Sequence, residues 1–185
     1  MIMDLVPTPS QTIGPFFHFC LTLDTALGCL AGPDAKGERI RLTCRVLDGD
    51  GAPMDDAMIE IWQADADGNY DPPDGSSFRG FGRLCTDENG VCVFQTVKPG
   101  QVPGPGGTPQ APHVDVLIFA RGLLKQLVTR IYFDGEAANR NDPILALVPE
   151  DRRETLLAHP YPEKPSDWIV DIRLCHESET VFFDV

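Results

Sequence analysis

The chain lacks any cluster of basic residues. Its 185 residues include 15 Lys and Arg against 28 Asp and Glu, which gives a formal net charge of -13. A surface that binds nucleic acid needs clustered cations, so this composition disfavours a nucleic-acid partner. The acidic balance gives no long-range attraction for an anionic substrate either. Such a substrate would need a local cation.

Targeting and membrane signals are missing as well. The opening segment MIMDLVPTPSQT has neither a basic region nor a long apolar region, and no apolar run approaches the length of a membrane span. The six cysteines form no C-x-x-C pair and match no zinc spacing. These features predict a cytoplasmic protein with free thiols and no membrane partner.

What the chain does contain is short apolar runs between turn residues, with 17 Pro and 17 Gly. In residues 39–48, Ile40, Leu42, Cys44 and Val46 alternate with polar residues, which predicts a strand with one wet face. Such spacing of strands and turns is typical of an all-β sandwich in one domain. Further strands are predicted over 57–64, 91–97, 113–120 and 127–133, with 168–174 and 180–185 as a closing hairpin.

Four segments fall outside this pattern. Residues 149–158 are the best helix, and 20–31 form a short helix or turn. Residues 98–112 are too rich in Gly and Pro for regular structure, and a loop this long is usually functional or disordered. Residues 1–19 are predicted to form an extended, Pro-rich interface arm, which leaves 20–185 as the sandwich and its loops.

The pair His113 and Asp115 is a candidate metal site. Residues two apart on a strand share a face, and H-x-D with a distant His is the ligand set of non-haem Fe(II) oxygenases. His159 or His176 could supply that third ligand. A histidine at the start of a strand, hydrogen-bonded to a neighbouring loop, would produce the same short pattern, so both interpretations stay open.

Arg130 lies in a predicted strand and shares a face with Val128 and Tyr132, so it needs an anionic partner. That partner is either an acidic residue of this chain or an anionic ligand. Near the Asp-Gly turn at 67–68, Trp62 is predicted to lie in the core or an interface. Tyr70 could ligate iron, although a lone tyrosine in a loop usually does not.

Several segments recur together in one order, and they resemble the intradiol ring-cleavage dioxygenases over nearly the whole chain. The resemblance is closest to the non-iron alpha subunits of that family, and it implies a mixed β-sandwich with one or two short helices. The segments are TPSQTIGPFFH (8–18), IEIWQADADGNY (59–70), FGR (81–83), VKPG (97–100), APHVDVLIFARGL (111–123), TRIYF (129–133), RRETLLA (152–158) and ETVFFD (179–184).

The resemblance implies an enzyme of alternating alpha and beta subunits, in which the beta subunit holds Fe(III) with two tyrosines and two histidines. The two histidines form H-x-H in a segment like R-P-A-H-I-H, and the matching stretch here runs from Gln110 to Asp115. Only the first histidine is retained, as His113, while one tyrosine position falls near Val102. The resemblance therefore implies degenerate metal positions at His113 and Asp115 and no metal on this chain.

The resemblance also implies a role beside the partner's active site in cleaving protocatechuate with O2 to 3-carboxy-cis,cis-muconate, a step of aromatic catabolism in the beta-ketoadipate pathway. This chain would line the substrate pocket with Thr12, Gly14, Pro15, Phe16 and Arg130. Closely similar alpha chains have Tyr where this one has Phe16, so a hydroxyl is lost there. Ile13, Phe17 and Phe19 would bury the arm in the interface with the beta subunit.

Three hypotheses follow. The first is the non-iron subunit of a hetero-oligomeric intradiol dioxygenase, inactive alone. The second is a β-sandwich binding module without catalytic function, which the arm and the 98–112 loop would equally suit. The third is a separate Fe(II) oxygenase built on His113 and Asp115.

Overall fold

The structure is a computed structural model that describes residues 16–71 and 76–184. One short α-helix, α1, comes first at Phe16–Leu21. Short 3-10 helices follow at Thr25–Gly28, Pro105–Gly107, Ala137–Asn141, Leu145–Leu147 and Glu150–Leu156. The strands are β1 (Arg39–Leu47), β2 (Met58–Gln63), β3 (Phe81–Cys85), β4 (Val91–Val97), β5 (Val102–Pro103), β6 (Pro109–Gln110), β7 (His113–Phe119), β8 (Leu127–Phe133), β9 (Leu157–Tyr161) and β10 (Lys164–Arg173).

Eight strands form one mixed sheet in the order β3-β2-β7-β8-β9-β10-β1-β4, and β5 pairs with β6 in a separate two-stranded ribbon. The sheet folds over so that β2 faces β4, although five strands lie between them in the hydrogen-bonded order. Buried Gln63 of β2 makes the link, because its amide nitrogen donates to the Val97 carbonyl and its oxygen accepts from the Thr96 hydroxyl at 2.9 Å. Two halves of one sheet therefore enclose the core, which confirms the predicted mixed β-sandwich.

The core is made by the alternation that the sequence shows. On β1 the inward Ile40, Leu42, Cys44 and Val46 are buried, while residues between them reach toward solvent. One apolar cluster fills the space between the two halves, and a smaller second cluster contains Tyr132. The second cluster also includes Ala111, Leu145, Val148 and Leu156.

Several predicted elements differ from the structure. The predicted extended arm reaches residue 19, but the backbone over Phe16–Leu21 is helical. The best predicted helix is a 3-10 helix that ends at Leu156, after which the chain enters β9. The predicted loop 98–112 holds β5 and β6, which pair across a turn with Gly106 and Gly107 at positive φ.

The prediction of a closing hairpin over 168–174 and 180–185 is also wrong. The strand β10 pairs in parallel with β1 and antiparallel with β9, while residues 180–184 form no strand. That last segment instead packs along the sheet, where the Phe183 amide donates to the Val128 carbonyl at 2.8 Å. Separately, none of the helices within 16–71 and 76–184 has the length and apolar character needed to cross a membrane.

Candidate functional site

His113 and Asp115 lie at the start of β7 and point to the same side of the sheet, away from the core between the two halves. The buried His113 ring places Nδ1 at 2.7 Å from the Ala111 carbonyl, so Nδ1 carries the proton and Nε2 is left as an acceptor. The Tyr70 hydroxyl lies 3.2 Å from that Nε2 and 3.4 Å from Asp115 Oδ2. A loop tyrosine that the sequence left aside thus completes this cluster.

Arg130 stands directly opposite Asp115 in the antiparallel pairing of β7 with β8. Its Nε lies 2.8 Å from Asp115 Oδ1, and its Nη1 donates to Gln110 Oε1 at 2.6 Å. Both side chains are largely shielded from solvent, which makes this ion pair stronger than an exposed one. The anionic partner that Arg130 needs is therefore an acidic residue of this chain, Asp115.

Asp142 supports this cluster from the side of Ala111 and Tyr132, and it was not among the residues predicted from the sequence. It is buried, and its Oδ2 accepts from the Ala111 amide at 2.7 Å while its Oδ1 accepts from the Tyr132 hydroxyl at 3.1 Å. The amides of Ile144 and Leu145 donate to the same Oδ1. The only sequence signal was an Asp before Pro, which is typical of a turn and says nothing about the distant Ala111.

The surroundings favour the uncharged forms of His113 and Tyr70. Burial, with a further effect of the Arg130 charge, lowers the pKa of His113 below its usual value near 6.5. Burial and the nearby Asp115 carboxylate raise the pKa of Tyr70 to about 12. Burial alone would lower the pKa of Arg130, but the opposing effect of Asp115 prevails, so it is raised. The site thus contains a neutral imidazole, a neutral phenol and one ion pair.

This donor set does not fit Fe(III) held by two tyrosinates and two histidines. Only His113 of that set is present, because Asp115 is already neutralised by Arg130 and the Tyr70 phenol keeps its proton. The position expected for a tyrosine is occupied by Val102, which is buried on β5. Across the described residues there is no group of three or more His, Cys, Asp or Glu side chains suited to a metal ion.

The distal histidines that an Fe(II) site would need lie elsewhere. The His159 ring contacts Asp134 Oδ2 at 3.4 Å and Glu154 Oε1 at 3.2 Å, and the His176 Nδ1 contacts the Ser178 hydroxyl at 2.9 Å. Among the described residues, neither histidine joins His113 and Asp115 in a group of three side chains suited to a metal ion, so the structure offers no third histidine ligand there.

Trp62 lies beside the cluster rather than in the core. It pairs with Asp115 across β2 and β7, is 44% exposed, and its ring contacts Phe81 with centroids 6.3 Å apart. At the N-terminal side, the Phe17 ring lies 6.4 Å from Phe119 of β7, and Phe19 is 62% exposed. The predicted positions Thr12, Ile13, Gly14 and Pro15, with the Phe16 side chain, lie outside the described residues.

The chain is similar to known proteins of one enzyme family. The family model described as Dioxygenase matches residues 13–174. The protocatechuate 3,4-dioxygenase alpha chain of Pseudomonas putida is 43% identical over the full length of both chains. The beta chain from Burkholderia cepacia is 35% identical, over 80% of this chain and 65% of that one.

A solved structure agrees with the sequence matches. The dioxygenase domain of a dioxygenase–carbohydrate-binding fusion from Streptomyces sp. SirexAA-E superimposes with a TM-score of 0.65 at 27% identity. The superposition covers 92% of this chain and 99% of that one, so the whole sandwich is shared. The chain belongs to the intradiol ring-cleavage dioxygenase family.

Proposed function

We propose that this chain is the non-iron alpha subunit of a protocatechuate 3,4-dioxygenase and that a related beta subunit holds the Fe(III). The full-length similarity to an alpha chain supports the assignment, and the similarity to a beta chain supports a partner with the same fold. The proposed reaction inserts both atoms of O2 between the hydroxylated carbons of protocatechuate and gives 3-carboxy-cis,cis-muconate. The chain alone is then inactive.

The Asp115–Arg130 ion pair is the observation that carries this proposal. The resemblance implies that the iron-bearing subunit ends the matching segment in H-x-H, whereas here the second position holds a carboxylate bound by a guanidinium at 2.8 Å. A carboxylate with its own cation is a poor ligand for a further one, because the two cations repel each other. Ring cleavage is therefore assigned to the partner.

This chain's own contribution is to help build the partner's substrate pocket. We assign the pocket side to Thr12, Gly14, Pro15, Phe16 and Arg130. Arg130 would offer an anionic substrate a guanidinium as hydrogen-bond donor, although Asp115 balances its charge within this chain. Its position is fixed by contacts to Asp115 and Gln110, so the charge is oriented before substrate arrives. Interface contacts are assigned to Ile13, Phe17 and Phe19.

Iron content and visible absorbance test the proposal, because tyrosinate–Fe(III) centres are coloured. The full-length chain is purified alone and then combined with a beta subunit. We expect the chain alone to be colourless and iron-free, and the complex to be coloured and active on protocatechuate. Stoichiometric iron in the chain alone contradicts the proposal, and so does a beta subunit that is fully active without it. That second outcome would favour a binding module.

The same complex tests the pocket assignment. Arg130→Gln is expected to raise the KM for protocatechuate about tenfold, as expected for the loss of one charged contact. Arg45→Gln is a matched control, since Arg45 makes a similar ion pair with Asp171 on the other half of the sandwich. Equal KM values for both variants would contradict the assignment of Arg130.

A further inference from the structure

Three donor atoms converge at the start of β7 with the spacing of a ligand set. Tyr70 Oη, His113 Nε2 and Asp115 Oδ2 are separated by 3.2, 3.4 and 3.9 Å. A point among them lies about 2 Å from each atom, which is the usual distance from a metal ion to nitrogen and oxygen ligands. Imidazole nitrogen and carboxylate oxygen are donors that divalent transition metals accept, and the Tyr70 phenol would join them by releasing its proton to solvent when the metal binds.

The His113 ring is already oriented for such a role. The His113 Nδ1–H donates to the Ala111 carbonyl. The Ala111 amide in turn donates to the carboxylate of buried Asp142. A backbone acceptor on the far nitrogen is the usual support of a ligating histidine, because it fixes the tautomer with Nε2 free. The orientation of the His113 ring is therefore not what prevents a metal ion from binding.

The obstacle is Arg130, which comes from the neighbouring strand. Its Nε lies 2.8 Å from Asp115 Oδ1, on the other oxygen of the same carboxylate that would be a ligand. Other charged or titratable groups facing the cluster are Asp142 behind Ala111 and the Tyr132 phenol beside the His113 ring, with centroids 5.9 Å apart. Of these named groups, only Arg130 carries a positive charge, so it supplies the countercharge for Asp115.

We infer that the Arg130 guanidinium takes the place of a metal ion in this site, and that its removal alone is enough to let Tyr70, His113 and Asp115 bind a divalent cation. The missing histidine and tyrosines then decide which metal is held, but Arg130 decides whether any is held. The inference rests on the proposed function in one respect, namely that the wild-type chain holds no metal.

The test is Co(II) binding by the full-length Arg130→Met chain, measured by calorimetry and by the visible absorbance of bound Co(II). Met keeps an unbranched apolar stem like that of arginine in a shorter side chain and removes the charge. We expect one Co(II) per chain, bound at least about tenfold more tightly than by the wild type, as for other changes beside a metal ligand. Adding Tyr70→Phe or His113→Ala to Arg130→Met should abolish the gain.

Arg45→Met is the matched control, because Arg45 also holds an aspartate, Asp171, at 2.8 Å from a neighbouring strand. It should gain no Co(II) binding. A folded Arg130→Met chain that binds no Co(II) overturns the inference and leaves the proposed function intact. Stoichiometric metal in the wild-type chain overturns both.

If Arg130→Met unfolds, Co(II) must restore its far-UV circular dichroism spectrum. An ion that binds only the folded chain stabilises it, so recovery supports the inference. A chain that stays unfolded with saturating Co(II) contradicts it.

Discussion

At the scale of single residues, His113 is a titratable group that the fold keeps uncharged. Its ring is buried, its Nδ1–H is committed to the Ala111 carbonyl, and Arg130 lies on the same side of the sheet. Burial and the Arg130 charge lower the pKa of His113 and outweigh the Ala111 hydrogen bond, which acts in the opposite direction. The folded chain therefore takes up a proton at this site less readily than the unfolded chain. Protonation therefore favours unfolding.

We expect the free energy of unfolding to fall as the pH falls below about 6.5, the value near which an unperturbed histidine takes up a proton. The unfolded chain binds the extra proton in this range, so stability is full above this range and is lost as the pH falls through the lowered pKa. The slope reaches at most about 1.4 kcal/mol per pH unit for one group. Urea unfolding at a series of pH values measures it.

His113→Asn should flatten this part of the profile, since the amide does not titrate there. His176→Asn changes an exposed histidine and should leave the slope as in the wild type. A His113→Asn profile as steep as that of the wild type would show that the proton is taken up elsewhere.

Part of the site was predictable from single residues. Period-two spacing put His113 and Asp115 on one face, and Arg130 among apolar neighbours required an anion. Tyr70 reaches His113 across 43 positions of sequence, and no local pattern encodes that approach. The same is true of Asp142, whose partners lie on two different elements.

At the scale of elements, one five-residue turn occurs three times with the same hydrogen bonds. In each, an aspartate Oδ1 accepts the amides two and four residues later, and a glycine three residues later has positive φ. The turns begin at Asp48, Asp65 and Asp87, and the glycines are Gly51, Gly68 and Gly90. The third turn carries the chain from β3 in one half of the sandwich to β4 in the other.

Two of these glycines have nearly the same backbone but different surroundings, so their alanine variants separate strain from contact. Gly51 has φ of 79° with open space around it, and Gly51→Ala should cost about 1 kcal/mol from conformation alone. Gly68 has φ of 84°, and an added Cβ would clash with the Gln101 carbonyl. Gly68→Ala should therefore cost about 3 kcal/mol, measured by urea unfolding. Equal losses would mean that the Gln101 segment moves aside without cost.

The strands with clear alternation were predictable, and β1, β2, β4, β7 and β8 lie where the pattern placed them. The strand β3 was missed because Phe81–Cys85 is short and contains a glycine. The strand β9 was missed because Leu157–Tyr161 follows a helical pattern and contains a proline. Its parallel pairing with β8 and the pairing of β1 with β10 join distant parts of the chain, and local periodicity carries no information about such partners.

At the scale of the whole molecule, the last described residues tie together both apolar clusters. Phe182 packs against the main cluster, while Val181 and Phe183 pack against the second one. The backbone of this segment is fixed as well, since the Thr129 hydroxyl donates to the Val181 carbonyl at 2.7 Å. An irregular segment thus contributes to the core of the domain.

Phe183→Ala should lower the free energy of unfolding by about 2 kcal/mol, which is less than the loss for a fully buried phenylalanine because this side chain is half-buried. Urea unfolding provides the measurement. Leu124→Ala is the control, since Leu124 is 99% exposed and its loss should change stability by less than about 0.5 kcal/mol. Similar values for the two variants would show that the final segment contributes little to the domain.

The Asp115–Arg130 pair also constrains how this chain could evolve. Asp115→His alone would leave the guanidinium facing two imidazoles without its anion, and loss of Arg130 alone would leave a half-buried carboxylate unpaired. Each single step therefore passes through a less stable intermediate unless metal is available to bind. Without such an intermediate, a change to a two-histidine site needs both substitutions together, so the Asp115–Arg130 pair is an epistatic barrier to that change.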